Sequence, residues 1–153
     1  MQNVNIWLDA DSCPALVRNH LAKMGKKLGL EVYFVANKNV PNNTEYPVNM
    51  IIIENQKDAA DNYIYERAAQ NDLVVTRDIV FADRLVSKNI CVINDRGTVF
   101  TKDNIKGLLA DRDCDMQLFQ MGLSKHYKEG YDKKKFAAFA SCFDKTIYSL
   151  LRN

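Results

Sequence analysis

Histidine is scarce: only His20 and His126 stand beside the four cysteines, Cys13, Cys91, Cys114 and Cys142. No two cysteines form a CxxC pair, and so few imidazoles give a zinc knuckle no support. The polar opening from Met1 to Asn5 has neither a charged n-region nor an apolar h-region, so export is not expected. Dispersed thiols in such a chain point to a reduced, cytoplasmic setting. A run of about eighteen apolar residues is also missing, which excludes a spanning helix and any membrane partner of that kind. The three prolines and six glycines build no linker, and no repeat or low-complexity tract divides the chain. What remains is 153 residues with 47% hydrophobic side chains, the size and core content of one domain over 1–153.

The net charge of +2 hides a division. Residues 1–121 carry 14 basic and 16 acidic side chains, a net of −2, whereas 122–153 carry 7 and 3, a net of +4. An acidic body suits a cation, and a basic tail suits a polyanion or is simply a solvated helix.

Short apolar and β-branched runs at Val4–Leu8, Val32–Ala36, Met50–Ile53, Leu73–Thr76 and Ile90–Ile93 are bounded by polar or turn residues, the pattern of buried strands. Between most of them the period changes. Val17, Leu21, Met24 and Leu28 form a helical stripe with Pro14 in the first turn, and 58–71 and 79–88 are further helical segments. Ile105, Leu108, Leu109, Met116 and Phe119 mark another helix. Phe136, Phe139, Ala140, Phe143, Ile147 and Leu150 mark the last, an aromatic stripe suited to core packing. Strand and helix alternating in this way predict an α/β domain of three layers, with a central, mainly parallel sheet and helices on both faces. The connection from Asn37 to Asn49 holds Pro41, Pro47 and five asparagines, long enough to serve as a flap over a site.

In such sheets ligands bind beyond the carboxyl ends of the strands, where strand order reverses. Asp9 and Asp11 follow the first strand, and Asp78 follows the Leu73–Thr76 strand. Asp58 and Asp61 share one helix face at i, i+3 spacing. If the first and fourth strands are neighbours, these five acids share a crevice, flanked by Asn37, Asn94 and Arg96 as substrate-binding residues. Carboxylates held close together repel, so some protonate or bind a cation, and all-oxygen ligation suits Mg²⁺ or Mn²⁺. Singly, each acid has a structural use: Asp58 and Asp61 favour a helix dipole, and Asp78 serves as an N-cap. Their joint placement is what carries the metal reading. Cys13 at a helix start could have its thiol pKa lowered by the dipole, but a nucleophile would need a partner base, and nothing aligns His20 with it. Lys125, His126, Tyr127, Lys128 and the stretch Tyr131 to Lys135 interleave basic and aromatic side chains, as RNA or single-stranded nucleic acid would require.

Six blocks carry a resemblance: LDADSCP from Leu8, VAN from Val35, DAADNYI from Asp58, VVTRDI from Val74, NDRG from Asn94, and Tyr131 to Phe136. In order and spacing they resemble the YaiI/YqxD family of bacterial proteins, over essentially the whole chain. The resemblance implies a PIN-like domain whose relatives are mostly Mg²⁺- or Mn²⁺-dependent nucleases. Asp9, Asp58 or Asp61, and Asp78 match the acid positions of that fold, with Asp11 an extra acid. The chain departs from the family's pattern at Arg77, where a small residue is usual, and at Asp95, where proline is usual. Ser124 to Gly130 replaces a glycine- and proline-rich stretch. Arg77 is thereby expected to neutralise part of the acidic centre or to meet a phosphate.

Three functions follow from these residues. The first is metal-dependent phosphodiester hydrolysis, with Asp9 and Asp78 holding the ion, Asp58 or Asp61 completing the ligation and Asp11 assisting. The second is a HAD-type phosphatase with Asp9 as nucleophile, Asp11 as acid and Thr76 at the phosphate, although no suitably placed lysine and late acidic pair accompany them. The third is a non-catalytic nucleic-acid or protein-binding module whose acids are ordinary caps.

Overall fold

The computed structural model describes residues 3–40, 46–56, 58–123 and 130–152. The apolar runs become β1 (Asn5–Asp9), β2 (Glu31–Ala36), β3 (Asn49–Ile52), β4 (Leu73–Val75) and β5 (Cys91–Ile93), joined by a two-residue β6 (Val99–Phe100). The helices are α1 (Ala15–Leu28), α2 (Ala59–Arg67), α3 (Ile79–Ser87), α4 (Ile105–Gln120) and α5 (Lys133–Arg152). The strands form one sheet in the order β3-β2-β1-β4-β5-β6, parallel except for β5 with β6. The chain runs outward from β1 to β3 and then returns to the other side of β1 as β4. The first and fourth strands are therefore neighbours, and the switch point lies between them.

Strand alternation divides the core in two. Ile6, Leu8, Phe34, Leu73, Val75 and Ile93 pack against α1 and α5, with Val17, Leu21, Phe139, Phe143 and Ile147. Trp7, Val35, Val74 and Val92 face the opposite way, toward Ile64 of α2, Phe81 and Leu85 of α3 and Ile105 of α4. Buried on both faces, the central strands are continuous apolar runs. The aromatic stripe of α5 is core: Phe139, Phe143 and Ile147 are fully buried, and His20 of α1 meets Phe136, Phe139 and Phe143 edge-on. Truncating Phe143 to alanine would cost about 3–5 kcal/mol, through lost burial and the cavity left behind.

Local chemistry fixes the ends of the elements. Gly29, at φ 68°, closes α1, and the Leu30 N–H returns to the Gly25 carbonyl. Asp72, wholly enclosed at the amino ends of the strands, accepts from the Asn5 N–H, the Trp7 indole and the Ala69 N–H, and so ties β1 to β4.

Several boundaries differ from expectation. The helix expected over 58–71 ends at Arg67, because Ala68 turns extended. β6 was not anticipated; two residues carry no periodic signal. Of the Asn37 to Asn49 connection, Val40 and Tyr46 pack on the α1/α5 side, and 41–45 lie outside the described residues. No helix among the described residues is long and apolar enough to cross a membrane.

Candidate active site

β1 ends on Asp9, which parallel pairing places beside β4 and the turn Thr76-Arg77-Asp78. Thr76 is fully buried, and its hydroxyl donates to Asp9 Oδ2 at 3.2 Å. Asp9 is itself 7% exposed. Burial pushes its carboxyl up, the hydroxyls of Ser12 and Thr76 pull it back, and the charges of Asp11 and Asp78 raise it again. Asp61, in the first turn of α2, is also buried, and its carboxyl is pushed up to about 7. Burial is the main cause, followed by Asp9, Asp78 and Asp58, while Arg84 of α3 acts in the opposite sense.

Asp9, Asp61 and Asp78 thus feel one another at the β1/β4 switch point. Asp78 also caps α3, its Oδ1 accepting from the Val80 and Phe81 N–H groups. Asp58 stands at the N-cap of α2 without a side-chain cap hydrogen bond, in a left-handed conformation (φ 61°) that costs an L-residue energy. A capping role does not account for it. Asp11 accepts the Asn37 N–H at 2.9 Å, so Asn37 bridges the ends of β1 and β2 and holds Asn55 through its amide. A polar cavity of about 300 Å³ opens here among Asp11, Asn37, Glu54, Asn55, Asp58 and Asp61. Glu54 and Asn55 follow β3 as Asp9 ends β1, a positional signal that the sequence reading left unused.

Other expectations fare differently. Asn94 spends its side-chain oxygen on the Arg96 and Thr98 N–H groups, shaping the turn after β5, while Arg96 is exposed. Arg77 is bonded to a carboxylate outside the five: its Nε and Nη2 donate to Oδ2 of the fully buried Asp95. The two departures from the family's pattern are therefore bonded to each other. Cys13 is buried, and burial pushes its thiol up to about 12, against any activated nucleophile. The enclosed Thr76 hydroxyl is unavailable to a phosphate, which removes a part the phosphatase reading needs. Lys125 to Lys128 lie outside the described residues, but Tyr131 donates to the Asp95 carbonyl and Lys133 and Lys134 are exposed.

The sequence profile of an uncharacterised BCR family, YaiI/YqxD, matches residues 7–149. The chain belongs to the YaiI/YqxD family. Its relatives include the UPF0178 protein of Treponema denticola, 40% identical over 97% of this chain and 95% of that one. The UPF0178 protein of Treponema pallidum is 40% identical over 97% and 84%, and that of Agrobacterium fabrum 38% over 94% and 93%. No solved structure matches this YaiI/YqxD chain significantly.

The donor chemistry at the switch point fits a hard divalent cation: oxygen ligands only, two of them buried carboxyls that cost energy to ionise unaided. Among the described residues no three acidic, histidine or cysteine side chains form a ready-made cage.

Proposed function

We propose that this chain is a metal-dependent phosphodiesterase of PIN-like type, acting on RNA or other single-stranded nucleic acid. The observation that carries the reading is the placement of Asp9, Asp61 and Asp78 at the β1/β4 switch point, with Asp9 and Asp61 buried there. Asp9, Asp61 and Asp78 would hold the ion, with Asp58 and Asp11 at its margin. Mg²⁺ or Mn²⁺ bound there supplies Lewis acidity toward a phosphoryl oxygen and activates water. Thr76 fixes the Asp9 carboxylate, and the Asn37 N–H fixes Asp11, so both oxygens are aimed before substrate arrives. Arg96, Lys133 and Lys134, exposed on the side of β5 and α5, would hold the phosphate backbone. Asn37 and Asn55 line the cavity, where their amides would face substrate on the other side.

The test is cleavage of labelled single-stranded RNA with Mn²⁺ and with EDTA. Cleavage should require the cation, and Asp9→Asn should slow it about 100-fold or more, the scale of losing one electrostatic contributor to a transition state. An Asp9→Asn protein as active as wild type would sink the reading. The binding-module alternative keeps one supporting observation, the use of Asp78 as the cap of α3. It expects no stabilisation by Mn²⁺.

A further inference from the structure

A carboxylate centre repels the polyanion it is meant to process, so a phosphate held beside it needs fixed positive charge nearby. Arg77 has that placement: it follows Thr76, the residue bonded to Asp9, and precedes Asp78. Both Arg77 and Asp9 lie within electrostatic reach of the buried Cys13.

The anchoring of Arg77 is unusual for a surface residue. Asp95 is 0% exposed, and its Oδ2 takes both Nε and Nη2 of the guanidinium, while Oδ1 is buried without a partner among the described residues. A carboxylate so enclosed requires a counterion, and the pair as a whole adds little to stability over an apolar replacement. Yet the Arg77 side chain is 46% exposed, and Nη1 has no hydrogen bond among the described residues. One edge of the guanidinium is fixed and the other faces solvent. Holding the group this way removes rotamer freedom in advance, so binding a phosphate costs less ordering.

A second cation stands close by. Tyr131 donates its hydroxyl to the Asp95 carbonyl at 2.6 Å, and both Arg77 and Arg96 lie within electrostatic reach of that hydroxyl. Gly97 brings the loop against α5: a Cβ there would lie 2.7 Å from the Ala138 carbonyl oxygen. The turn after β4, the loop after β5 and the residues leading into α5 thus meet around Asp95, with Arg77 on the first and Arg96 on the second.

We propose that Arg77, braced by buried Asp95 and paired with Arg96 across Tyr131, binds a backbone phosphate of single-stranded RNA next to the scissile one. This rests on the phosphodiesterase reading and adds to it the side from which the strand enters. The substrate backbone runs from the carboxylate centre toward α5.

The experiment is fluorescence anisotropy of a labelled oligouridine in EDTA, across a salt series, so that no catalysis is involved. Arg77→Gln should weaken binding about threefold or more and make the slope of log K against log salt shallower by about 0.7. The double variant Arg77→Gln/Asp95→Asn leaves no unpaired buried carboxylate and should show the same shallower slope, so it decides the matter if the single variant fails to fold. Wild-type affinity and slope in a folded variant would overturn the subsite, as would a wild type that binds no oligouridine. Metal-dependent cleavage by the wild type with an unchanged Arg77→Gln slope overturns the subsite alone. A changed slope without any cleavage upholds the subsite and sinks the hydrolysis reading.

Discussion

The Thr76 hydroxyl donates to Asp9 Oδ2 at 3.2 Å and accepts the Asp78 N–H at 3.2 Å. One buried oxygen therefore ties together the ends of the two strands that flank the switch point. Thr76→Val keeps the shape and removes both bonds. It should destabilise the fold by about 1–3 kcal/mol, since the Asp9 carboxylate and the Asp78 N–H lose a buried partner. The Asp9 carboxyl should also titrate higher, because the Thr76 hydroxyl lowers it. Urea denaturation and a carboxyl-detected NMR titration check both, and Thr76→Ser should restore most of each.

Asp61 predicts a pH dependence of folding in the absence of divalent cations. Its carboxyl moves from 3.8 to about 7 on folding, so between those values the folded state holds a proton that the unfolded state has lost. Stability then falls as pH rises through that window and levels off above about 7. Denaturation in EDTA at a series of pH values should show the decline, and Asp61→Asn should flatten it. Because the cation competes with that proton, Mn²⁺ should stabilise the wild type more at pH 8 than at pH 5.

Gly97 stands at φ 88°, and an added Cβ would meet the Ala138 carbonyl carbon at 2.9 Å as well as its oxygen. Gly97→Ala combines left-handed strain with a clash against helix backbone that has no side chain to move aside. A loss of about 1–3 kcal/mol is expected in thermal or urea unfolding. Since the same loop carries Asp95 and Arg96, oligonucleotide affinity should fall with it.

Asp72 provides the contrast. Its three donors lie at the amino ends of the strands, remote from the carboxylate centre. Asp72→Ala strands the Asn5 and Ala69 N–H groups and the Trp7 indole, and should cost several kcal/mol by urea denaturation. Mn²⁺ affinity of the folded fraction should be unchanged, which separates loss of fold from loss of site.

The fold was largely legible because parallel strands buried on both faces are short apolar runs, and Val4–Leu8, Leu73–Thr76 and Ile90–Ile93 stand out as such. Strand order was not legible. Asp9 and Asp78 could be placed after their strands, but that β1 and β4 are neighbours is a property of the crossover alone. Asp95 stood out only as a departure from the family's pattern and Asp72 not at all, because a carboxylate's burial depends on which donors the tertiary structure brings to it. Arg77 followed a strand and looked available to the acids; only the buried Asp95, eighteen residues on, shows where its guanidinium is held. Asp58 looked like a helix cap, but its backbone is left-handed and its side chain makes no cap hydrogen bond.

The most direct measurement of the central claim is anomalous diffraction from crystals soaked in Mn²⁺. The account predicts a peak bounded by Asp9, Asp61 and Asp78, lost in Asp9→Asn crystals treated in the same way. No peak at saturating Mn²⁺, with these carboxylates still bonded only to Thr76 and the start of α3, would contradict it.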